Sequence, residues 1–313
     1  MKKAVLLSFL FLCNSSVFSQ NLPTGLNDWY LYTNDNNRLY VAEGGQGAES
    51  DTVIVLHGGW GAEYSYLVPA FRPLFDRYHF VFYDQRGSLR SPAPDSTISL
   101  QRFVQDLEEL RQELGIDKVT LATHSMGSML AYAYLQKYPE HVKGYLLIGP
   151  VPPKNEVSQE SIKRVKAFGD SLAQIEFKEE GLGKEKLTDR ERTKKWKIRF
   201  AAVNIYHIDR WRQMRGGKAF YNQGVVQPMY DNTPDSLWKG YVDSMIKYQK
   251  PIFVLIGDHD QVDFGLEVWP DFAKKIPNTE LLKFKNASHA AWIDWPGKFQ
   301  DSVNYALQQI NNR

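Results

Sequence analysis

Six short apolar runs constrain this chain more than any other feature. They are TVIVLHGG (52–59), HFVFYDQRG (79–87), KVTLAT (118–123), KGYLLIG (143–149), PIFVLIG (251–257) and TELLKF (279–284). Consecutive apolar residues in runs too short for a core helix suit strands buried on both faces, the habit of parallel sheets. Between the second and third runs, SLQRFVQDLEELRQELG sets Leu100, Phe103, Val104, Leu107, Leu110 and Leu114 on one helical face, with Gly115 as the stop. Strands alternating with such helices predict an α/β fold, a mostly parallel sheet covered by helices on both faces. Upstream, LYTNDNNRLYVAE reads as two strands around an Asn/Asp turn.

Lys2 and Lys3 precede AVLLSFLFLC and then NSSVFSQN, the three-part pattern of a secretory leader. Residues 1–19 are therefore expected to be cleaved and the mature chain exported, periplasmic or secreted. A buried N-terminal helix is the alternative, and a lipid anchor at Cys13 is disfavoured by the bulky Leu12. The leader holds two lysines and no acid, so the remainder balances at 36 basic and 36 acidic residues. That balance supports no nucleic-acid or anionic-lipid partner. Cys13 is the single cysteine, so the mature chain has no disulfide, thiolate metal site or cysteine nucleophile. No later segment is long and apolar enough to span a bilayer, so stable membrane insertion after cleavage is not expected.

Residues 151–249 break the strand rhythm. They open with PVPPKNE, carry the charge run KEEGLGKEKLTDRERTKKWKIR, and hold no convincing buried strand. An interval this long between strands is more than a loop. It reads as a helical cap over a core made of 20–150 and 250–313.

The chemistry sits at the ends of the runs. In Thr123-His124-Ser125-Met126-Gly127 a strand turns abruptly into a helix, which would push Ser125 Oγ out of the sheet. Taken alone, the stretch is equally a serine in a turn. LHGGWG (56–61) places unobstructed backbone donors after another strand: the N–H of Gly59 or Trp60, with that of Met126, would face a developing oxyanion. By itself it is also a plain glycine-rich turn. Asp258, Asp260 and Asp263 follow a third strand, and His289 a fourth. The order Ser125, Asp260, His289 is that of a hydrolase triad on a parallel sheet: nucleophile, orienting acid, general base. Asp258 or Asp263 is the alternative acid, and Asp258-His259-Asp260 an alternative metal site, disfavoured because adjacent residues rarely aim at one ion. His57 and His124 read as local hydrogen-bonding residues, while His79, His141 and His207 show no partner pattern.

On these residues the sequence resembles the α/β-hydrolase superfamily, and within it most resembles the proline iminopeptidase group. YDQRGSLRSP (83–92) is similar to that group's Asp-Gln-Arg-Gly-Ser-Gly-x-Ser stretch, as are FVQDLEELRQELGIDKV and AYAYLQKYPEHVKGYLLIG to its flanking segments. The resemblance implies an acyl-enzyme hydrolase of small peptides, needing no cofactor and no metal, whose partner is a small molecule or short peptide. Asp84 and Arg86 are expected to bond neighbouring loops rather than substrate. The chain departs from the group in HGGWG, where the peptidases have His-Gly-Gly-Pro-Gly, and in THSMG, where they have Gly-Gly-x-Trp-Gly. His-Ser-Met-Gly is similar to carboxylester hydrolases, so hydrolysis of small esters is the alternative. A non-catalytic binder on the same fold would usually have lost a triad member, and none is missing. The peptidase version also implies cap carboxylates for a free amino terminus, and Glu176, Glu179, Glu180, Glu185, Glu191, Asp209 and Asp231 are the candidates, with no pattern choosing among them. Trp196, Tyr206, Trp211, Phe220 and Tyr221 wall a pocket or, for most of them, form the cap's own core.

Overall fold

The computed structural model describes residues 25–47, 52–154, 159–215, 221–260, 262 and 265–312. The leader expected at 1–19, with Cys13, lies outside them, as do Asp263 and Phe220. Eight strands form one sheet: β1 (Asn27–Tyr32), β2 (Arg38–Gly44), β3 (Thr52–Leu56), β4 (His79–Tyr83), β5 (Val119–His124), β6 (Val142–Ile148), β7 (Ile252–Gly257) and β8 (Thr279–Phe284). Their order is β1-β2-β4-β3-β5-β6-β7-β8. β1, β2 and β4 pair antiparallel, and all pairs from β4 through β3 to β8 are parallel.

Every residue of β3, β5 and β7 is buried, as their unbroken apolar runs require. The pleat then sorts their side chains: Val53 and Val55 pack into one hydrophobic cluster, Ile54 and Leu56 into the other. The edge strand β8 carries Glu280 and Lys283 among its apolar residues, which discourages further strand pairing.

Ten helices complete the described chain: α1 (Val68–Phe71), α2 (Leu100–Glu113), α3 (Gly127–Lys137), α4 (Gln159–Glu179), α5 (Asp189–Asn204), α6 (Val226–Asp231), α7 (Tyr241–Lys247), α8 (Gly265–Lys275), α9 (Ala291–Asp294) and α10 (Pro296–Asn311). α2 begins where Ser99 accepts the Arg102 N–H, buries the predicted apolar face, and stops before Gly115 at φ +67°. Its other buried residues are polar. Glu108 receives Arg111, Tyr134 Oη and Gln112, and His141 Nδ1 stands 3.2 Å away. His141 thus has a partner that the sequence did not reveal, as does His79, which contacts Glu43 and Thr52.

The interval 151–249 divides in two. α4 and α5 pack on one another, with Thr188 and Glu191 capping α5 reciprocally and the charge run on its solvated side. Ala173, Phe177, Ile198, Ala201 and Trp211 form the inner face of this roof. α7, by contrast, packs on α3, and Val225, Met229, Tyr241 and Met245 join the cluster on the sheet's flank. The part of the interval after residue 221 thus belongs with the sheet's helical layer. No helix among the described residues is long and apolar enough to cross a membrane.

Candidate active site

β3 and β5 are neighbours, and between them the chain's winding direction reverses, so their C-terminal ends open a crevice. Ser125 stands there. It holds φ +52°, a left-handed backbone that costs a non-glycine residue roughly 1 kcal/mol or more. Its N–H donates to Ile148 O at 3.1 Å, and its carbonyl accepts Ser128 N–H at 2.9 Å as α3 begins. Two glycines allow the tight passage. A Cβ on Gly127 would sit 2.5 Å from Leu56 O, and one on Gly58 would sit 2.7 Å from Ser125 Cβ. Thr123, standing where a glycine is usual, is accommodated within β5 opposite Leu56 and Leu147.

Asp260 and His289 meet beneath the same crevice. His289 Nδ1 lies 3.0 and 3.1 Å from the two carboxylate oxygens of Asp260, and both side chains are buried. A carboxylate only accepts, so Nδ1 carries the proton and Nε2 is left as the basic nitrogen. Gly149, at the end of β6 with φ +47°, makes the pair possible: a Cβ there would stand 2.8 Å from Asp260 Oδ2 and 2.9 Å from His289 Nδ1. Its role was invisible in the sequence beyond a glycine closing a strand. Asp258 turns away to His259 Nδ1 at 2.7 Å and to Ala287 N–H, so the three residues 258–260 do not converge on one point.

Of the expected oxyanion donors, Gly59 lines the crevice, at φ +72°. Met126 immediately precedes α3, where the helix's first N–H groups lack intrahelical acceptors. The indole of Trp60 is buried against Phe103 and Trp238, so only its main chain remains relevant to the crevice. The Gly58 N–H is already taken, donating to Tyr66 Oη at 2.8 Å.

His57 and His124 behave as local hydrogen-bonding groups. His57 Nε2 accepts the Gln85 N–H at 3.1 Å, and His124 Nδ1 lies 2.8 Å from Tyr66 Oη. Burial pushes both imidazoles below their usual range, His124 well below it. The DQRGS stretch bonds neighbouring loops, as expected of residues at a strand end. Arg86 spans Asp35 and Asp106, while Arg90 grips Asp84 through two bonds and reaches Glu63 at 2.8 Å.

A cavity of about 600 Å³ joins these groups, with Ser125, His124 and His289 on its floor. Trp196 and Phe200 from α5, with Tyr221, overhang it; Tyr66 and Trp292 form part of its wall. Trp211 instead belongs to the roof's core, its indole N–H donating to Glu176 at 2.6 Å. Tyr206 lies against Phe168 and His259. Several cap acids are engaged elsewhere: Glu180 with Lys194 and Arg212, Glu191 with Lys184, Asp231 with Gln227. Among the described residues the acidic side chain lining the cavity is Glu63, from the core. Burial raises its carboxyl above the usual range although Ser65 and Arg90 bond it.

The roof and the floor share a joint. Asp294, fully buried at the end of α9, accepts the N–H groups of Tyr206 and His207 from the roof and of Ser288, the neighbour of His289. The N–H of Ala290 donates to Asn204 O at 2.7 Å. On the far side of the roof, Asn222 is bonded to Gly61 O and Gly87 O.

A family model described as alpha/beta hydrolase fold matches residues 51–296. A proline iminopeptidase of Saccharolobus solfataricus is 25% identical over 303 residues, spanning 91% of this chain and 90% of that protein. Among solved structures, an esterase from Exiguobacterium antarcticum superposes with a TM-score of 0.66 at 20% identity, covering 89% of this chain and 98% of the esterase. A proline iminopeptidase of Mycobacterium smegmatis does so at 0.62 and 19%, covering 91% and 99%.

Proposed function

The chain belongs to the α/β-hydrolase family, and from that premise we propose that it is a serine hydrolase acting through an acyl-enzyme. Ser125 Oγ attacks a substrate carbonyl while His289 Nε2 takes its proton. Asp260 holds the Nδ1–H and stabilises the imidazolium. Main-chain N–H groups of Gly59 or Trp60, with Met126, receive the oxyanion. The imidazolium then protonates the leaving group, and water, activated by the same base, releases the acyl group. The observation that carries this reading is a strained serine sharing one cavity with an imidazole whose other nitrogen is committed to a buried carboxylate. Ser125→Ala is expected to lower kcat by about 10⁴-fold or more and to abolish labelling by a fluorophosphonate. An unchanged rate would reject the mechanism.

The substrate proposed is the amino-terminal residue of a small peptide, as for the proline iminopeptidases the chain resembles. A substrate ammonium needs a buried counter-charge, and among the described residues Glu63, which also holds Arg90 and Ser65, is the carboxylate lining the cavity. A second reading, hydrolysis of small acyl esters, is favoured by the engagement of Glu176, Glu180 and Glu191 with other side chains. Proline and other amino-acid arylamides assayed beside p-nitrophenyl esters separate the two. Amide turnover supports the peptidase; ester turnover alone supports the esterase. Export is proposed from the leader, and mass analysis of the secreted protein should find Gln20 at its amino terminus.

A further inference from the structure

Tyr66 lines the cavity but has no place in the proposed reaction. Its hydroxyl oxygen accepts the Gly58 N–H at 2.8 Å and also lies 2.8 Å from His124 Nδ1. The other nitrogen of His124, Nε2, faces the main-chain carbonyl of His289 at 3.3 Å, and the two imidazole centroids are 4.3 Å apart. A carbonyl cannot donate, so the contact at Nε2 is a hydrogen bond only when Nε2 carries the proton. Nδ1 is then the acceptor, and Tyr66 must donate to it. Burial of the ring excludes the alternative of protonating both nitrogens.

We infer that Tyr66 is a positioning residue that ties the oxyanion turn to the general base through the tautomer of His124. This rests on the serine hydrolase reading. One hydroxyl performs two tasks. By accepting from Gly58 it holds the turn that presents Gly59, close to where Ser125 Cβ approaches the glycine backbone. By donating to His124 Nδ1 it keeps the His124 proton on Nε2, where it supports the backbone of His289. Asp260 fixes the His289 ring, and His124 fixes the main chain behind that ring. Without the hydroxyl, His124 is free to move its proton to Nδ1 and release the His289 carbonyl, while Gly58 loses its acceptor.

The test uses the purified chain, an ester and an arylamide that the wild type turns over, and Ser125→Ala as control. Tyr66→Phe keeps the ring in the cavity wall and should lower kcat by about tenfold or more, with KM within about twofold for both substrates. Because Tyr66 acts through His124, the losses in Tyr66→Phe and His124→Gln should be non-additive, the double variant being little slower than the poorer single one. Nitrogen-15 NMR of histidine-labelled wild type, assigned through His124→Gln, should show a neutral Nε2–H tautomer at His124. That measurement reads the tautomer in the wild type and needs neither Tyr66→Phe nor the double variant to fold. A wild-type kcat in Tyr66→Phe, additive losses, or a proton on Nδ1 of His124 would overturn the inference. Turnover surviving in Ser125→Ala would instead reject the hydrolase mechanism on which it rests.

Discussion

At Ser125 the backbone stores strain that a glycine would not, and the strain has a measurable sign. Ser125→Gly is expected to raise stability by about 1 kcal/mol in denaturant unfolding while abolishing turnover, an exchange of stability for activity confined to one φ angle. The reverse is expected at Gly149, where a methyl would meet both Asp260 and His289 at under 3 Å. Gly149→Ala should cost about 1–3 kcal/mol and lower kcat by about 100-fold, because His289 and Asp260 can no longer close on one another. The pairing of Asp260 with His289, and the cavity His289 shares with Ser125, were legible in the sequence because each residue stands in a loop after a strand, in a fixed chain order. Gly149 and Tyr66 were not. Their importance lies in what approaches them through space, and no spacing of residue types along the chain records that.

The elements were readable wherever burial imposes a period. The uninterrupted strands β3, β5 and β7 and the apolar face of α2 are where the sequence put them. The polar residues of α2 were hidden because a charged side chain at helical spacing looks solvated whether or not a partner awaits it. Glu108 makes the point: it joins α2 to α3 through Tyr134 and closes on Arg111. Burial alone would raise its carboxyl, but the bonds from Arg111 and Tyr134 bring it down to about 2. A carboxyl depressed in the folded state adds stability above its unfolded pKa and loses it as pH falls through the folded value. Thermal stability should therefore decline between about pH 4.5 and pH 2, and Glu108→Gln should flatten that decline by about 1–2 kcal/mol in unfolding measured across the range.

For the molecule as a whole, the cavity sets the scale of what can react. About 600 Å³ under aromatic side chains from α5 is a size that suits a short acyl or peptidyl group. In a ladder of substrates with a common acyl residue, kcat/KM should fall by about tenfold or more once the leaving group exceeds about two or three residues. A flat profile along the ladder would mean that the roof lifts. The division of 151–249 between roof and flank escaped the sequence, since an amphipathic helix declares that one face is buried but not against what. The fastenings of the roof carry a last consequence. Asp294 rivets the chain leaving α5 beside His289, and Asn222 pins the chain beside Gly61 and Gly87. Side chains carried above those two rivets, such as Trp196 and Phe200 of α5, can be exchanged by mutation while Ser125 and His289 keep their places. New substrates are thus within reach of this scaffold through substitutions overhead, with the machinery below inherited intact.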